Sequence, residues 1–508
     1  MSGLENPTLT ALSKWARYRS VAYLVGRGIV FGADQEVFPN CATAPGQYAV
    51  YVDTVQHPRI GLCDTDLSVL GNDKFDYVFA GTRLLVGKLE TTLRELTRKL
   101  KVGGHLILFL PTNNEPEAPT ALRSMVGDVG SWIAKDSYIR DNQVLQIYKK
   151  ILGSRGIIDR QRSLKPRACV VRYGALGDMI MVTPLIRRLA EDGFDVTVNC
   201  TRYSAEILQN NPYVSNILLQ EREAIPNPDL GEYWNEWKGD YDRYINLSES
   251  IEGRLLKVQG RRDFYTHQSW RHEQCNRNYY DFTLELGGYP EVTGRRGELY
   301  LNGSEEREAR RFCKKFSNKF LVLWSLSGSS HHKIYGLFEP VVIDWLSTHP
   351  DAVVVTVGDQ ASKKLEFEHP RLVPKSGVWP LRMSLAMTKH ADLVVGPESV
   401  MTNAAGCFDT AKIVFLSHSS HENFCKYFEN HIHLEPDPAV APCYPCHALH
   451  YVQHDPNTCP LKQIVNIDTG EEIVRLPACS VGISGEQVIA ALDCTYAQWK
   501  QKSAAAVA

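Results

Sequence analysis

One segment near the middle of the chain constrains the fold more than any other. Val170 and Val171 lead into a turn bracketed by Gly174 and Gly177, and Asp178 then opens a run whose apolar residues keep helical spacing. The segment therefore predicts a strand, a glycine turn and a helix. Open α/β folds build ligand sites from such units, at the carboxyl edge of a sheet.

Asp178 allows two interpretations at this point. A carboxylate in the first turn of a helix can act only as a cap, which stabilises the helix and has no further role. The same carboxylate, held at the edge of a sheet beside a glycine turn, can also act on a ligand. The motif alone does not separate these two interpretations.

Length and composition limit the class of protein. A chain of 508 residues with 44% hydrophobic and 22% charged residues predicts two or three globular domains, and no apolar run suggests a membrane span. Lys14, Arg17 and Arg19 interrupt any signal-peptide core. The net charge of −2 predicts no general affinity for polyanions, and 13 scattered cysteines favour reduced thiols and a cytoplasmic location.

Residues 1–150 predict a small α/β unit. A strand over 75–80 precedes a helix with apolar residues from Leu89 to Leu100, and a turn at 101–104 precedes a buried strand at 105–111. This order resembles the back half of class I S-adenosylmethionine-dependent methyltransferases. The resemblance implies a Rossmann-like domain at the start of the chain.

The front half of this unit departs from that family. Residues 26–32 stand where the family has a glycine-rich cofactor loop, and Val30 stands at the position of an acidic residue. Asp53, after a strand at 48–52, could still meet the ribose hydroxyls of a cofactor. Bulky side chains block the close approach of a cofactor to the backbone. We therefore expect a degenerate domain that does not bind S-adenosylmethionine.

Strand and helix alternate again from Ala168 onward, in two halves of similar length. This pattern predicts two Rossmann-like domains facing a cleft. The predicted boundaries are residues 1–150 for the methyltransferase-like domain, 151–167 for a linker, 168–318 and 319–500 for the two later domains, and 501–508 for a flexible tail.

Two segments of the last domain suggest ligand contacts. The loop from Ser325 to Lys333, which follows a buried strand, offers Ser327, Ser329 and a cation to a diphosphate. Glu398 and Ser399 begin a small-residue helix, where an exposed carboxylate and a hydroxyl suit a sugar and the helix amides suit a phosphate. A capping role for the Glu398–Ser399 pair is the alternative.

Asp359 follows another strand of this domain. By its position it is a candidate for binding ribose hydroxyls, and a simple turn aspartate is the alternative.

Residues 168–495 resemble the GT-B glycosyltransferases of family nine, the ADP-heptose:lipopolysaccharide heptosyltransferase group. The residues that match its opening motif are Arg172, Gly174, Gly177, Asp178, Thr183 and Pro184. The resemblance implies that Asp178 is the general base and that Lys333 contacts phosphate. Glu398, Val400 and Asn403 stand where the family has Asp, Gly and His, so a heptose substrate does not follow from the resemblance.

Together these observations predict an inverting glycosyltransferase that needs neither a metal nor another cofactor, and that uses a nucleotide-sugar and a hydroxyl-bearing acceptor. The predicted site consists of the catalytic Asp178 and of the donor-binding residues Gly174, Gly177, Ser327, Ser329, Lys333, Asp359, Glu398, Ser399 and Asn403.

Two other classes of function stay open. A sugar transferase that modifies DNA would present basic residues to phosphates, and the candidates are Arg261, Arg262, Arg295, Arg296 and the linker segment 160–167. A non-catalytic binding or structural protein is the third class.

The last cysteines form a separate group. Cys443, Cys446, Cys459 and Cys479 could hold a structural zinc ion, form two disulfides or remain thiols. We expect no catalytic role for them.

Overall fold

The structure is a computed structural model. It describes residues 7–24, 26–31, 48–52, 67, 70–81, 89–111, 117–152, 154–158, 164–220, 225, 227–248, 269, 273, 276–329, 333–447, 461–465 and 472–507. The chain packs into two compact units. The first consists of residues 1–168, 199–202 and 217–244, and the second of residues 169–198, 203–216 and 245–508. The domain boundaries expected from the sequence remain predictions.

The first sheet belongs to the first unit. Its strands are β1 (Arg27–Phe31), β2 (Tyr48–Val52), β3 (Phe75–Ala80), β4 (Leu100–Pro111), β5 (Ser131–Arg140), β6 (Gln143–Lys150) and β7 (Gly156–Ile158). They lie in the order β2-β1-β3-β4-β6-β5-β7. Strands β1 to β4 pair in parallel, and β6 pairs antiparallel with β4 and β5. The helices in this part of the chain are α1 (Pro7–Ser20), α2 (Leu89–Lys99) and α3 (Ala118–Val129).

One local prediction for this sheet is wrong. Residues 27–31, which stand where the methyltransferase family has its cofactor loop, form strand β1, in which Ile29 and Val30 are buried, because both faces of a parallel sheet are covered. The expected turn at 101–104 is part of β4, where Gly103 has a φ of +88° and the register shifts. Asp53 lies outside the described residues. The predicted strands β2 and β3 are confirmed.

Helix α1 packs against a helix from the middle of the chain, also in the first unit. This second helix is α6 (Leu230–Lys238). The indole of Trp237 donates a hydrogen bond to the carbonyl of Tyr18 over 3.1 Å, and the buried guanidinium of Arg19 pairs with Glu236 and Asp240. From the sequence, by contrast, residues 217–244 are predicted to belong to the domain formed by residues 168–318.

The second sheet has the strand order β10-β9-β8-β11. Its strands are β8 (Arg167–Arg172), β9 (Asp195–Cys200), β10 (Asn216–Leu219) and β11 (Arg243–Asn246), and the accompanying helices are α4 (Leu176–Glu191), α5 (Arg202–Ile207) and α7 (Tyr279–Leu286). Strand β8 and helix α4 confirm the strand, turn and helix predicted around Gly174.

The third sheet lies in the second unit, and all its strands pair in parallel. They are β12 (Phe320–Ser325), β13 (Ala352–Val357), β14 (Leu372–Pro374), β15 (Leu393–Pro397), β16 (Ala411–Phe415) and β17 (His431–Leu434). The order is β14-β13-β12-β15-β16-β17. The chain therefore changes direction across the sheet between β12 and β15, and open α/β sheets bind ligands at the carboxyl ends of the strands at such a point.

Helices and a small strand pair complete the second unit. The helices are α8 (Gly303–Cys313), α9 (Phe338–Thr348), α10 (Leu381–His390), α11 (Val400–Gly406), α12 (His421–Phe424), α13 (Ala478–Val481) and α14 (Gly485–Val507), and the antiparallel strands are β18 (Leu461–Val465) and β19 (Glu472–Pro477).

The predicted fold class is confirmed. The chain is an α/β protein, with one mixed and largely parallel sheet at its start and one wholly parallel sheet in its later part. No helix within the described residues has the length and apolar character needed to span a membrane.

Candidate active site

The carboxylate of Asp178 is fixed at the start of α4. Its Oδ2 accepts a hydrogen bond from the backbone N–H of Ala175 at 2.9 Å, and one from Nη2 of the buried Arg172 at 2.9 Å. The capping role is thus real. The side chain nevertheless keeps 32% of its surface exposed, so the carboxylate is both held in place and open to a ligand.

The two glycines of the turn allow close approaches. A β-carbon at Gly174 would collide with Oδ2 of Asp178 and would lie 2.8 Å from Cζ of Arg172. A β-carbon at Gly177 would lie 2.8 Å from Nδ2 of Asn403, at the start of α11. Gly177 therefore lets the first turn of α4 meet the first turn of α11, and this brings Asp178 close to the segment predicted to bind the donor.

Thr183 and Pro184 have a structural role in α4. Pro184 has no N–H, so it cannot donate to the carbonyl of Ile180 four residues earlier. The hydroxyl of Thr183 donates to that carbonyl at 2.7 Å and accepts from the backbone N–H of Glu298 at 2.8 Å. The hydroxyl of Thr183 thus replaces the hydrogen bond that Pro184 cannot make, and it attaches the helix to the segment that contains Glu298.

The loop after β12 folds so that Lys333 returns to the end of its own strand. A β-carbon at Gly328 would lie 2.5 Å from Cδ of Lys333, so the aliphatic part of the lysine passes directly over this glycine. Ser329 is exposed, while the hydroxyl of Ser327 lies 2.8 Å from that of Ser362. Residues 330–332 lie outside the described residues.

Lys333 lies within electrostatic reach of two other predicted site residues. Burial lowers the pKa of its ammonium, whereas the carboxylates of Glu398 and Asp178 act in the opposite direction. The ammonium forms no ion pair or hydrogen bond with any residue that the structure describes. It is therefore a cation near two carboxylates that remains available to an anionic ligand.

Glu398 is not the exposed carboxylate expected from the sequence. It is 3% exposed, and its oxygens accept hydrogen bonds from the hydroxyl of Ser417 at 2.6 Å, the hydroxyl of Ser419 at 2.7 Å and the backbone N–H of Ser417 at 2.9 Å. A buried carboxylate needs such partners because an unpaired buried charge is costly. Glu398 thus anchors the loop after β16, and its predicted contact with the donor stays a prediction.

Ser399 and Asn403 form the first turn of α11. The hydroxyl of Ser399 caps the helix by accepting from Thr402 N, and it lies 3.2 Å from the hydroxyl of Ser325. Nδ2 of Asn403 donates to the carbonyl of Ser399 at 3.1 Å, whereas its Oδ1 is buried and has no hydrogen-bond partner among the described residues. A buried acceptor of this kind is a candidate contact for a hydrogen-bond donor of a ligand.

Asp359 behaves as a turn residue. Its Oδ1 accepts from the backbone N–H and the hydroxyl of Ser362, at 2.9 and 2.8 Å, and these hydrogen bonds lower its pKa. The residue is exposed at the carboxyl end of β13. A ribose contact from Asp359 remains a prediction.

Of the other predicted groups, the structure describes only a part. Cys443, Cys446 and Cys479 are buried or half-buried, and Cys459 lies outside the described residues, so the zinc site remains a prediction. Arg261 and Arg262 lie outside the described residues as well.

Arg295 is exposed, and Arg296 pairs with Asp409 at 3.0 Å and with Glu429 at 2.8 Å. Since Arg296 already pairs with two carboxylates, contact with DNA phosphates would require it to break these pairs.

The sequence reading missed one group of possible ligands. His421, Cys425, His431 and His433 bring their ligand atoms within 4.8 Å of one another. The spacing of four residues in a helical turn and of two residues in a strand is the signal that could have revealed them.

Comparison with known proteins gives structural likeness alone. No protein-family model matches the sequence, and no curated protein is significantly similar to it. A glycosyl transferase of family 9 from Veillonella parvula is similar in structure, with 14% identity and a TM-score of 0.48, over 67% of this chain and 100% of that one.

Two further structures show the same pattern. The dodecameric iron-containing heptosyltransferase TibC from enterotoxigenic E. coli, in complex with ADP-D-beta-D-heptose, has 12% identity and a TM-score of 0.42 over 72% of this chain and 84% of that one. A Burkholderia thailandensis 1,6-didemethyltoxoflavin-N1-methyltransferase has 16% identity and a TM-score of 0.23 over 28% of this chain and 80% of that one. At these values the activity must be argued from the geometry of the site.

Proposed function

We propose that this protein is a glycosyltransferase that moves a sugar from a nucleoside-diphosphate sugar to an acceptor hydroxyl, with inversion and without a divalent metal. One observation carries the proposal. The partly exposed carboxylate of Asp178, the ammonium of Lys333 and Oδ1 of Asn403 converge around the first turns of α4 and α11, and the ammonium and Oδ1 have no hydrogen-bond partner among the residues that the structure describes.

Asp178 acts as the general base in this proposal. It removes the proton from the acceptor hydroxyl while the hydroxyl oxygen attacks the anomeric carbon of the donor. A new bond forms between this oxygen and the anomeric carbon, and the bond from that carbon to the diphosphate breaks. The hydrogen bonds from Arg172 and Ala175 support this role, because they fix the carboxylate in one orientation without burying it.

Lys333 and the start of α11 serve the leaving group. Negative charge develops on the diphosphate as the sugar departs, and a cation already held in position stabilises that charge. Lys333 would supply the positive charge that a divalent ion supplies in other enzymes. The switch between β12 and β15 favours this use, since both predicted donor loops follow these two strands.

Asn403 gives the donor a further contact. Its orphaned Oδ1 can accept a hydrogen bond from a sugar hydroxyl, and leaving such a group unpaired costs about 1–3 kcal/mol. A substrate hydroxyl that met this acceptor would remove that cost, which would favour donors with a hydroxyl at the matching position.

A panel of nucleotide-sugars tests the proposal. The purified chain is incubated with each donor, and mass spectrometry detects free nucleoside diphosphate and glycosylated products. We expect release from at least one donor, and loss of that release in Asp178→Asn. No turnover with any donor, alongside no binding of nucleoside diphosphates, would favour a non-catalytic protein.

If the protein modifies DNA, the same assay should give a different result with DNA as the acceptor. Transfer to a duplex, with binding that falls steeply as salt rises, would identify DNA as the acceptor.

A further inference from the structure

A group of three imidazoles and one thiol in the second unit has no part in the proposed reaction. His421 begins α12, and Cys425 follows one helical turn later, where its N–H donates to the carbonyl of His421 at 3.1 Å. His431 and His433 are two residues apart on the edge strand β17. Residues four apart on a helix, or two apart on a strand, point to the same side.

The spacing of the four side chains suits one small cation. Their ligand atoms all lie within 4.8 Å of one another. Ligand atoms around a tetrahedral zinc ion lie about 3.3–3.7 Å apart, given bond lengths of about 2.0–2.3 Å. Modest rotation of half-buried histidines closes this difference. The rings of His421 and His433 now stack with centroids 4.3 Å apart and would turn edge-on toward the ion.

His431 is set up as a ligand. Its Nδ1 lies 2.6 Å from the carbonyl of Phe428, which can only accept, so Nδ1 carries the proton and Nε2 carries a lone pair. Nε2 is buried and has no hydrogen-bond partner within the described residues. Histidines that bind metals are oriented in this way, with one ring nitrogen donating to a carbonyl and the other facing the ion.

The ligand types select the class of cation. Imidazole and thiolate suit zinc and neighbouring transition metals, whereas calcium and magnesium need oxygen ligands, which this cluster lacks. Cys425 is completely buried and forms no disulfide with any described cysteine. A buried thiol between histidines has an evident use if it completes a tetrahedral set.

We propose that His421, Cys425, His431 and His433 form a structural site for zinc or a similar divalent transition metal. The ion would join α12 to β17. The loop between β16 and α12 carries Ser417 and Ser419, which hold Glu398 beside the donor segment. Bound metal would thus stabilise the support of the site without taking part in transfer.

Metal content measured on the full chain tests the proposal. Cobalt is added to the metal-free protein, because tetrahedral cobalt absorbs visible light and its thiolate bonds give a separate charge-transfer band. A double variant, Cys443→Ser with Cys446→Ser, removes ligands from the other predicted metal site. We expect this background to bind one equivalent of cobalt, with a spectrum that indicates one thiolate.

Single substitutions then identify the ligands. His431→Gln or His433→Gln in that background should abolish the cobalt spectrum, while the matched control His369→Gln should keep it. Zinc should raise the Tm of the wild type and should raise it less in His433→Gln, which removes a half-buried ligand. No bound metal in the background, or an unchanged spectrum in both ligand variants, would overturn the proposal.

Discussion

Two glycines of this chain, one in a strand and one at the start of a helix, show that the same residue can serve opposite purposes. A β-carbon at Gly28, in β1, would overlap the phenol ring of Tyr77 on the neighbouring strand. A β-carbon at Gly177, after β8, would instead meet the amide of Asn403. In the first case the missing side chain makes room for the core of the sheet. In the second it lets two polar helix starts approach each other.

The difference favours the prediction that the first sheet does not bind S-adenosylmethionine, although its order of strands and helices resembles that of a cofactor-binding domain. The space beside Gly28 is filled by an aromatic side chain that is itself completely buried. A glycine that gives a cofactor access to the backbone has no such occupant. The side chains nearest to Gly174 and Gly177 are polar, namely Asp178, Arg172 and Asn403, and these are groups that can bind a ligand.

The largest expected effect follows a substitution of Asp178, which lies beside the turn at Gly174 and Gly177. Asp178→Asn should lower turnover by about 10²–10⁴-fold, because a positioned general base contributes that much. It should also lower the free energy of unfolding by about 1–3 kcal/mol, since buried Arg172 loses its charged partner. Steady-state kinetics and urea unfolding measure the two effects separately.

Asp192→Asn is the matched control for that variant. It removes another Arg–carboxylate pair from the other end of α4, where Arg188 lies 2.9 Å from Asp192. Turnover should stay close to that of the wild type. If folded Asp178→Asn has the same turnover as the wild type, Asp178 is not the general base and only caps the helix.

Lys333→Ala should have the next largest effect. Loss of one charge-assisted contact costs about 1.5–3 kcal/mol, so nucleoside diphosphates should bind about 10- to 150-fold more weakly. Titration calorimetry without added metal measures this.

Lys319→Ala, at the opposite end of β12, should change nothing, since that lysine pairs with Asp351. Equal affinity in the Lys333 variant and the wild type, or an absolute need for magnesium, would contradict the proposed contact between Lys333 and the diphosphate.

The two glycines can be compared directly. Gly28→Ala should lower the free energy of unfolding by about 1–3 kcal/mol through overpacking against Tyr77, with little change in turnover while the protein stays folded. Gly177→Ala should lower turnover but change the free energy of unfolding little. The side chain of Asn403 can move away from the added methyl group, and its position in the proposed site is then lost. Thermal unfolding and steady-state kinetics are measured on both variants. Equal losses of stability and of turnover in the two variants would show that the two glycines do not differ as described.

The smallest expected effect is none at all. S-adenosylmethionine should give no thermal shift and no heat on titration, because Tyr77 fills the space beside Gly28 in the first sheet. A dissociation constant in the micromolar range would make the chain bifunctional and would break the comparison.

Local pattern was enough to predict much of the fold. The strand, turn and helix around Gly174 follow from β-branched residues, glycine and helical spacing, all of which act over a few positions. The sequence does not predict strand β1, because burial on both faces of the sheet, and not a local pattern, decides its structure. Only the folded sheet shows that Tyr77 needs the space beside Gly28.

The sequence names candidate site residues, and their roles remain predictions, but it does not show their contacts. In the structure Lys333 lies within electrostatic reach of Asp178. The sequence could not show that Ser417 and Ser419 fold back on Glu398, because these partners lie about twenty positions away along the chain. The orphaned Oδ1 of Asn403 is likewise a product of packing, and no pattern encodes it.

The packing of α1 against α6 limits how this chain can be divided. Residues 217–244 belong to the same compact unit as the first 168 residues, so the polypeptide leaves that unit and re-enters it. A shortened protein that begins at residue 169 would expose Tyr233 and Trp237, which are buried beside α1 in the whole chain. The methyltransferase-like part is therefore not a detachable module, and swapping it for another domain would mean redesigning α6 as well.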